Sequence, residues 1–222
     1  MKKILTFLLA VLLLSLALCS CAKGNKIVLS DDGKYVDKKT GVVYIDAPAC
    51  YEPIGMGEEQ YGEVGSAQLY AVAGADPEQW LCDATGSVLY ADSIELPTLD
   101  RMDISYASVL MEEAELVRIT DAEVLGGIVD TYVQGQAIRK PTYFENTLAI
   151  SWRIKLADEK LGLYYVLNYI ELKEDHVITL DDGTQVNYGR AFIFNRFEDK
   201  CVVAGDALAK YSAEYKALNE AK

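Results

Sequence analysis

The sequence predicts an α+β fold, mostly antiparallel β-sheet with one mid-chain and one C-terminal helix. Three observations point there. Apolar residues alternate strictly through "LAISWRIKL", residues 148–156, which is the period of a half-buried strand. Glycine-bearing turn signals recur at Asp32-Gly33, Thr40-Gly41, Gly86 and Asp182-Gly183, where a left-handed residue can reverse the chain. Helical spacing shows in only two segments, and these fall between or after blocks of strands. That pattern argues against βαβ alternation and its parallel sheet.

Composition sets the outer limits. A chain of 222 residues, 51% hydrophobic and 25% charged, is globular in character and large enough for one good core or two small ones. Its net charge of -13 repels phosphate backbones, and no Lys/Arg cluster opposes that balance, so nucleic acid is excluded as an expected partner. The mean hydropathy of +0.06 owes much to the first twenty residues.

Those residues are the first element. Met1-Lys2-Lys3 is a short positive head on "ILTFLLAVLLLSLAL", residues 4–18, in which only Thr6 and Ser15 are polar. As a helix this run reaches roughly 22 Å, short of a hydrocarbon core of about 30 Å, so it reads as a secretory signal rather than a span. It ends in Leu18-Cys19-Ser20-Cys21. This ending resembles the lipobox of bacterial lipoproteins: an aliphatic residue, two usually small ones, then the invariant cysteine. The alternative register, ending at Cys19, places bulky Leu18 before the thiol, so Cys21 is the preferred lipidation residue. The resemblance implies removal of residues 1–20, a diacylglycerol thioether on Cys21 and acylation of the new amine. Such a chain would be held at the extracytoplasmic face of a membrane, since each buried methylene contributes about 0.8 kcal/mol.

Residues 21–25 are then a short tether, 26–100 a β-rich part, and 101–222 an α+β part that can share a domain with it; a boundary is placed near "LPTLDRMD". Residues 26–46 read as three short strands, and "QLYAVA" with "WLCDATGSVLYAD" as a further meander turning at Ala84-Thr85-Gly86. In "ITDAEVLGGIVDTYVQG", Thr120 and Glu123 fit a capping box. Val124, Leu125, Ile128, Val129, Tyr132 and Val133 follow at helical spacing, and Gly135 is the expected stop. Gly126 and Gly127 weaken this helix by about 1 kcal/mol each, so packing must support it. After the 148–156 strand come the doubly apolar "LGLYYVLNYIEL", a hairpin about Asp182-Gly183 and the strand "CVVAG". Asp206 can cap a last helix whose Leu208, Tyr211, Tyr215 and Leu218 share a face.

Few residues invite chemistry. His176 is the single histidine; it reads as a solvated turn residue, with no nucleophile elbow to serve. Asp31-Asp32-Gly33 and Asp181-Asp182-Gly183 lack calcium-loop spacing. "MEEAE", with Glu112, Glu113 and Glu115, reads as a solvated face. Cys50, Cys82 and Cys201 allow one bridge, Cys50 to Cys82, or three buried thiols in strands. No catalytic, metal or cofactor set emerges. The fifteen tyrosines, against five Phe and two Trp, suggest that Tyr164, Tyr165, Tyr169 and Tyr188 grip a glycan or peptide, or simply suit half-exposed strands. The expected function is non-catalytic binding of a protein, peptide or glycan. A carboxylate-dependent hydrolase and a solute-binding transporter component are the alternatives, the latter disfavoured by length and the missing parallel sheet.

Overall fold

The computed structural model describes residues 24–220; Cys21 and the signal segment lie outside them. The fold is α+β with antiparallel sheets, and the two α-helices among the described residues stand mid-chain and at the C-terminal end. The first half contributes β1 (Asn25–Leu29), β2 (Tyr35–Asp37), β3 (Val43–Asp46), β4 (Tyr51–Pro53), β5 (Met56–Val64), β6 (Ala67–Val72), β7 (Trp80–Asp83) and β8 (Val88–Ala91). Seven of these close into a barrel in the order β1-β2-β3-β8-β7-β6-β5. Every neighbouring pair is antiparallel except the closing one, where β1 meets β5 in parallel over Asn25↔Gly62 and Lys26↔Glu63. Closure needs a glycine at that point: a Cβ on Gly62 would meet the Asn25 carbonyl oxygen at 2.7 Å. The expected turns are in place, with Gly33 and Gly41 both at φ 80°.

One carboxylate fastens the seam. Asp37 on β2 is fully buried and accepts from Asn25 Nδ2 on β1 at 2.8 Å and from the Tyr61 hydroxyl on β5 at 2.8 Å. Its other oxygen takes the Lys39 and Thr40 backbone N–H groups at 2.7 and 3.3 Å. These bonds hold its carboxyl below the usual carboxylate range, although burial pulls the other way.

The second half adds β9 (Tyr106–Met111), β10 (Ala114–Ile119), α1 (Ala122–Gln134), β11 (Leu148–Asp158), β12 (Leu163–Leu172), β13 (Val177–Thr179), β14 (Gln185–Asn187), β15 (Ala191–Asn195), β16 (Lys200–Val203) and α2 (Ala209–Glu220). Its main sheet runs β10-β9-β11-β12-β15-β16, and β4 reaches over from the first half to pair with β12. "MEEAE" is solvated as expected, all five residues being exposed, and it spans the β9–β10 hairpin turn, with Glu112 at φ 55°. α1 is capped by Asp121, whose side chain accepts from the Glu123 and Val124 N–H groups at 2.9 and 3.2 Å. The Thr120–Glu123 capping box therefore does not form; the shorter carboxylate one residue later reaches the free donors directly. Asp121→Ala is expected to cost about 1 kcal/mol and Thr120→Ala clearly less, which thermal melts of the two variants would show. In α2, Leu208 is buried just before the helix and Tyr211 and Tyr215 pack on the core, whereas Leu218 is 69% exposed, so the face proposed for this helix is covered except at its C-terminal end.

Alternation explains how the halves join. On β7 and β8, Leu81 and Leu89 fill the barrel with Ile27, Tyr44, Leu69 and Ala91. Their neighbours Trp80, Cys82 and Val88 point outward, into one cluster with Leu99, Ile119, Ile128, Trp152, Ile154 and Leu167. One apolar cluster thus runs across residue 100, while the barrel keeps its own. The other face of the main sheet carries Ile170, Phe192 and Phe194, with Ile138, Tyr143 and Tyr188 packed against them.

Candidate functional site

Strand β11 pairs with β12 along its whole length, Leu148–Asp158, but with β9 only over Arg153–Ala157. Among the described residues no strand lies along the β9 side of Leu148–Trp152. A bulge between Leu148 and Ile150 re-aims the chain at the far end of this free stretch, a device common beside functional sites. At the step where β9 turns away there is a cleft of about 810 Å³.

Because successive strand residues point to opposite faces, the cleft has two unlike walls. On the core side stand Ile150 and Trp152, with Met111 from the end of β9 and Tyr215 from α2. Trp152 stacks on Tyr169 at 5.3 Å and receives the edge of Tyr215 at 5.6 Å. The Tyr215 hydroxyl donates to the Met111 sulfur at 3.1 Å. Trp152 is buried, and its indole N–H has no partner among the described residues.

The outer side is charged. β4 places Glu52 opposite Tyr164 of β12, and its carboxylate receives both Lys155, at 2.9 Å, and Arg153. All three are largely withdrawn from water, at 33% side-chain exposure for Arg153, 20% for Lys155 and 18% for Glu52. Burial, and then the charge of Arg196, pulls the Arg153 guanidinium below its ordinary value. Burial, and then Arg153, does the same to Lys155. Asn168, Arg196 and Phe197 complete this wall, and Phe197 is 57% exposed. Two cations held by one carboxylate, backed by a further arginine, are suited to receiving an anionic group.

No family model matches this chain, and no curated protein or solved structure does either. The site therefore rests on its own geometry.

The residues singled out from sequence scatter. Tyr165 and Tyr169 are core residues, 1% and 2% exposed. Tyr165 donates to Glu198, as Tyr132 does at 2.8 Å, and accepts from Asn195 Nδ2 at 3.0 Å. Tyr164 is half-buried, hydrogen-bonded to the Tyr106 hydroxyl at 2.9 Å, and Tyr188 packs at the edge of the outer apolar cluster. The four do not form one binding row; strand alternation sends them to different faces. His176 is half-buried between the rings of Tyr188 and Phe192 rather than solvated. Cys50, Cys82 and Cys201 are free and buried, so no Cys50–Cys82 bridge exists. Burial pushes Cys82 and Cys201 up to about 11 and raises Cys50 as well, which leaves them poor nucleophiles. Among the described residues, no three His, Cys, Asp or Glu side chains converge as a metal site. Glu52, Trp152, Arg153 and Arg196 were not apparent as a set, since they come from β4, β11 and the end of β15.

Proposed function

We propose that this chain is a lipid-anchored binding protein of the extracytoplasmic membrane face, tethered through Cys21 and taking its ligand in the cleft beside β11. The ligand classes remain those the sequence suggested, a protein, a peptide or a glycan. The observation that carries the binding reading is the cleft itself, where a free strand edge, an aromatic wall and half-buried cations meet. In it the most buried carboxylate, Glu52, is engaged by two cations, an arrangement for recognition. Anchoring is supported by Leu18-Cys19-Ser20-Cys21 and by the start of β1 at Asn25, which would hold the folded body close to the lipid surface.

Detergent phase partitioning tests the anchor. The wild-type protein from cells is expected in the detergent phase and Cys21→Ala in the aqueous phase. An unmodified tryptic peptide spanning Cys21 in the wild-type mass spectrum would refute lipidation. Pull-down from solubilised membranes, set beside a glycan array, tests binding. Loss of the captured ligand in Arg153→Glu or Arg196→Glu is the expected result, and capture unchanged by either would move the site elsewhere.

A further inference from the structure

The free stretch of β11 narrows the ligand class. Backbone N–H and C=O groups on a strand edge are obligatory hydrogen-bonding groups, and a free edge is a template for a further strand. Natural folds blunt such edges with charges, proline or a covering loop. Here residues 148–152, Leu-Ala-Ile-Ser-Trp, contain neither charge nor proline, and the one irregularity is the bulge at their far end. The edge is instead sunk in a cleft whose rim carries the exposed apolar residues Met111 and Phe197.

Building on the proposed binding role of this cleft, we infer that its ligand is an extended polypeptide segment that adds to β11 as a short strand. Its alternate side chains would be acidic towards Arg153 and Arg196 and apolar towards Trp152, Met111 and Tyr215. Arg153 and Lys155 share the single carboxylate of Glu52, and among the described residues no ion pair involves Arg196. Arg196 is therefore the cation on that wall left without an ion-pair partner among the described residues, while Glu112, which also lines the cleft, belongs to the β9–β10 turn beside Met111. Glu145, three residues before β11, lines the other end of the cleft and directs the ligand's acidic group to the Arg153 end. Strand addition of this kind takes affinity from main-chain bonds and selectivity from alternate side chains. A glycan would use the aromatic wall and leave the edge unread.

The test uses the full-length chain in detergent micelles and labelled peptides of about eight residues, long enough to cover the free edge at about 3.3 Å per residue. Peptides alternating Glu and Val, alternating Lys and Val, and Glu and Val in blocks are compared by fluorescence anisotropy. Two N-methylated forms of the first peptide, methylated at every Glu or at every Val, block one strand edge or the other. The expected result is saturable binding of the Glu-Val alternation alone. One methylated form should weaken it at least tenfold and the other less than twofold, and Arg196→Glu should weaken it about tenfold. Equal binding of the two methylated forms, preference for the Lys peptide, or no peptide binding overturns the inference. If a glycan then binds and Arg153→Glu or Arg196→Glu abolishes it, strand addition falls while the cleft stands as the binding site. If neither ligand responds to these variants, both readings fall.

Discussion

Asp37→Ala is expected to destabilise the protein by about 3–5 kcal/mol, one of the two largest losses for a single polar or aromatic change in this fold. Four donors lose their acceptor at once: Asn25 Nδ2, the Tyr61 hydroxyl and the backbone N–H groups of Lys39 and Thr40. A stranded buried donor costs about 1–3 kcal/mol. Lys39 and Thr40 lie at an exposed turn, where water can replace the carboxylate, so the sum stays below four full penalties. The seam is also one of the barrel's two shortest pairings, with two residue pairs between β1 and β5 as between β2 and β3, and Asp37 ties β1 and β5 to β2. The pH dependence follows from the direction of its shift. Folding lowers the Asp37 pKa from the ordinary 3.8, so the unfolded chain takes up the proton first as the solution is acidified. The stabilisation is complete above the ordinary value and disappears as pH falls through the depressed folded value. Urea unfolding of wild type and Asp37→Ala should therefore differ most at neutral pH and converge in acid. A difference that persists at low pH would mean that cavity formation, not the ionised carboxylate, sets the loss.

Much of this fold was legible because its strands announce themselves locally. The alternation of residues 148–156 gave β11, the Asp-Gly and Thr-Gly pairs gave the hairpins around Gly33, Gly41 and Gly183, and α1 emerged from its spaced apolar residues. β5 was not legible. Met56–Val64 holds two glycines and three glutamates, with a single buried residue, because its roles are to close a barrel and to admit β1 at Gly62. Barrel closure is a long-range fact without a local period. Asp37 misleads for the same reason: next to Lys38, Lys39, Thr40 and Gly41 it looks like the start of a solvated turn, and only the approach of Asn25 and Tyr61 buries it. The cleft was invisible for a topological reason. Glu52 and Arg153 are about a hundred positions apart, and β4 leaves the barrel to pair with β12, which no pattern in "YEP" foretells. Tyrosine abundance was a true signal read at too coarse a scale, since period two divides neighbours such as Tyr164 and Tyr165 between opposite faces.

Trp152→Ala is the other large expected loss, about 3–5 kcal/mol, the usual cost of emptying a fully packed aromatic site. The residue joins three elements: it stands on β11, stacks on Tyr169 of β12 and takes the edge of Tyr215 from α2. Removing it deprives the C-terminal helix of its main aromatic contact. Glu171 still holds that helix, through Ser212 Oγ at 2.5 Å and through Lys216, so unfolding should stay a single transition at a lower midpoint rather than split into two. Trp152→Phe separates size from polarity. It keeps an aromatic ring against Tyr169 while deleting an indole N–H that is buried with no partner among the described residues, a burden of about 1–3 kcal/mol. Relief of that burden offsets much of the smaller ring's cavity, and the net change should fall within about 1.5 kcal/mol. Arg196→Ala, at an exposed position, should alter stability by less than about 0.5 kcal/mol. Chemical denaturation of the three variants gives the ordering directly. A Trp152→Phe loss as large as that of Trp152→Ala would mean that the indole N–H finds an acceptor in solution, and that the aromatic wall is held by a hydrogen bond as well as by stacking.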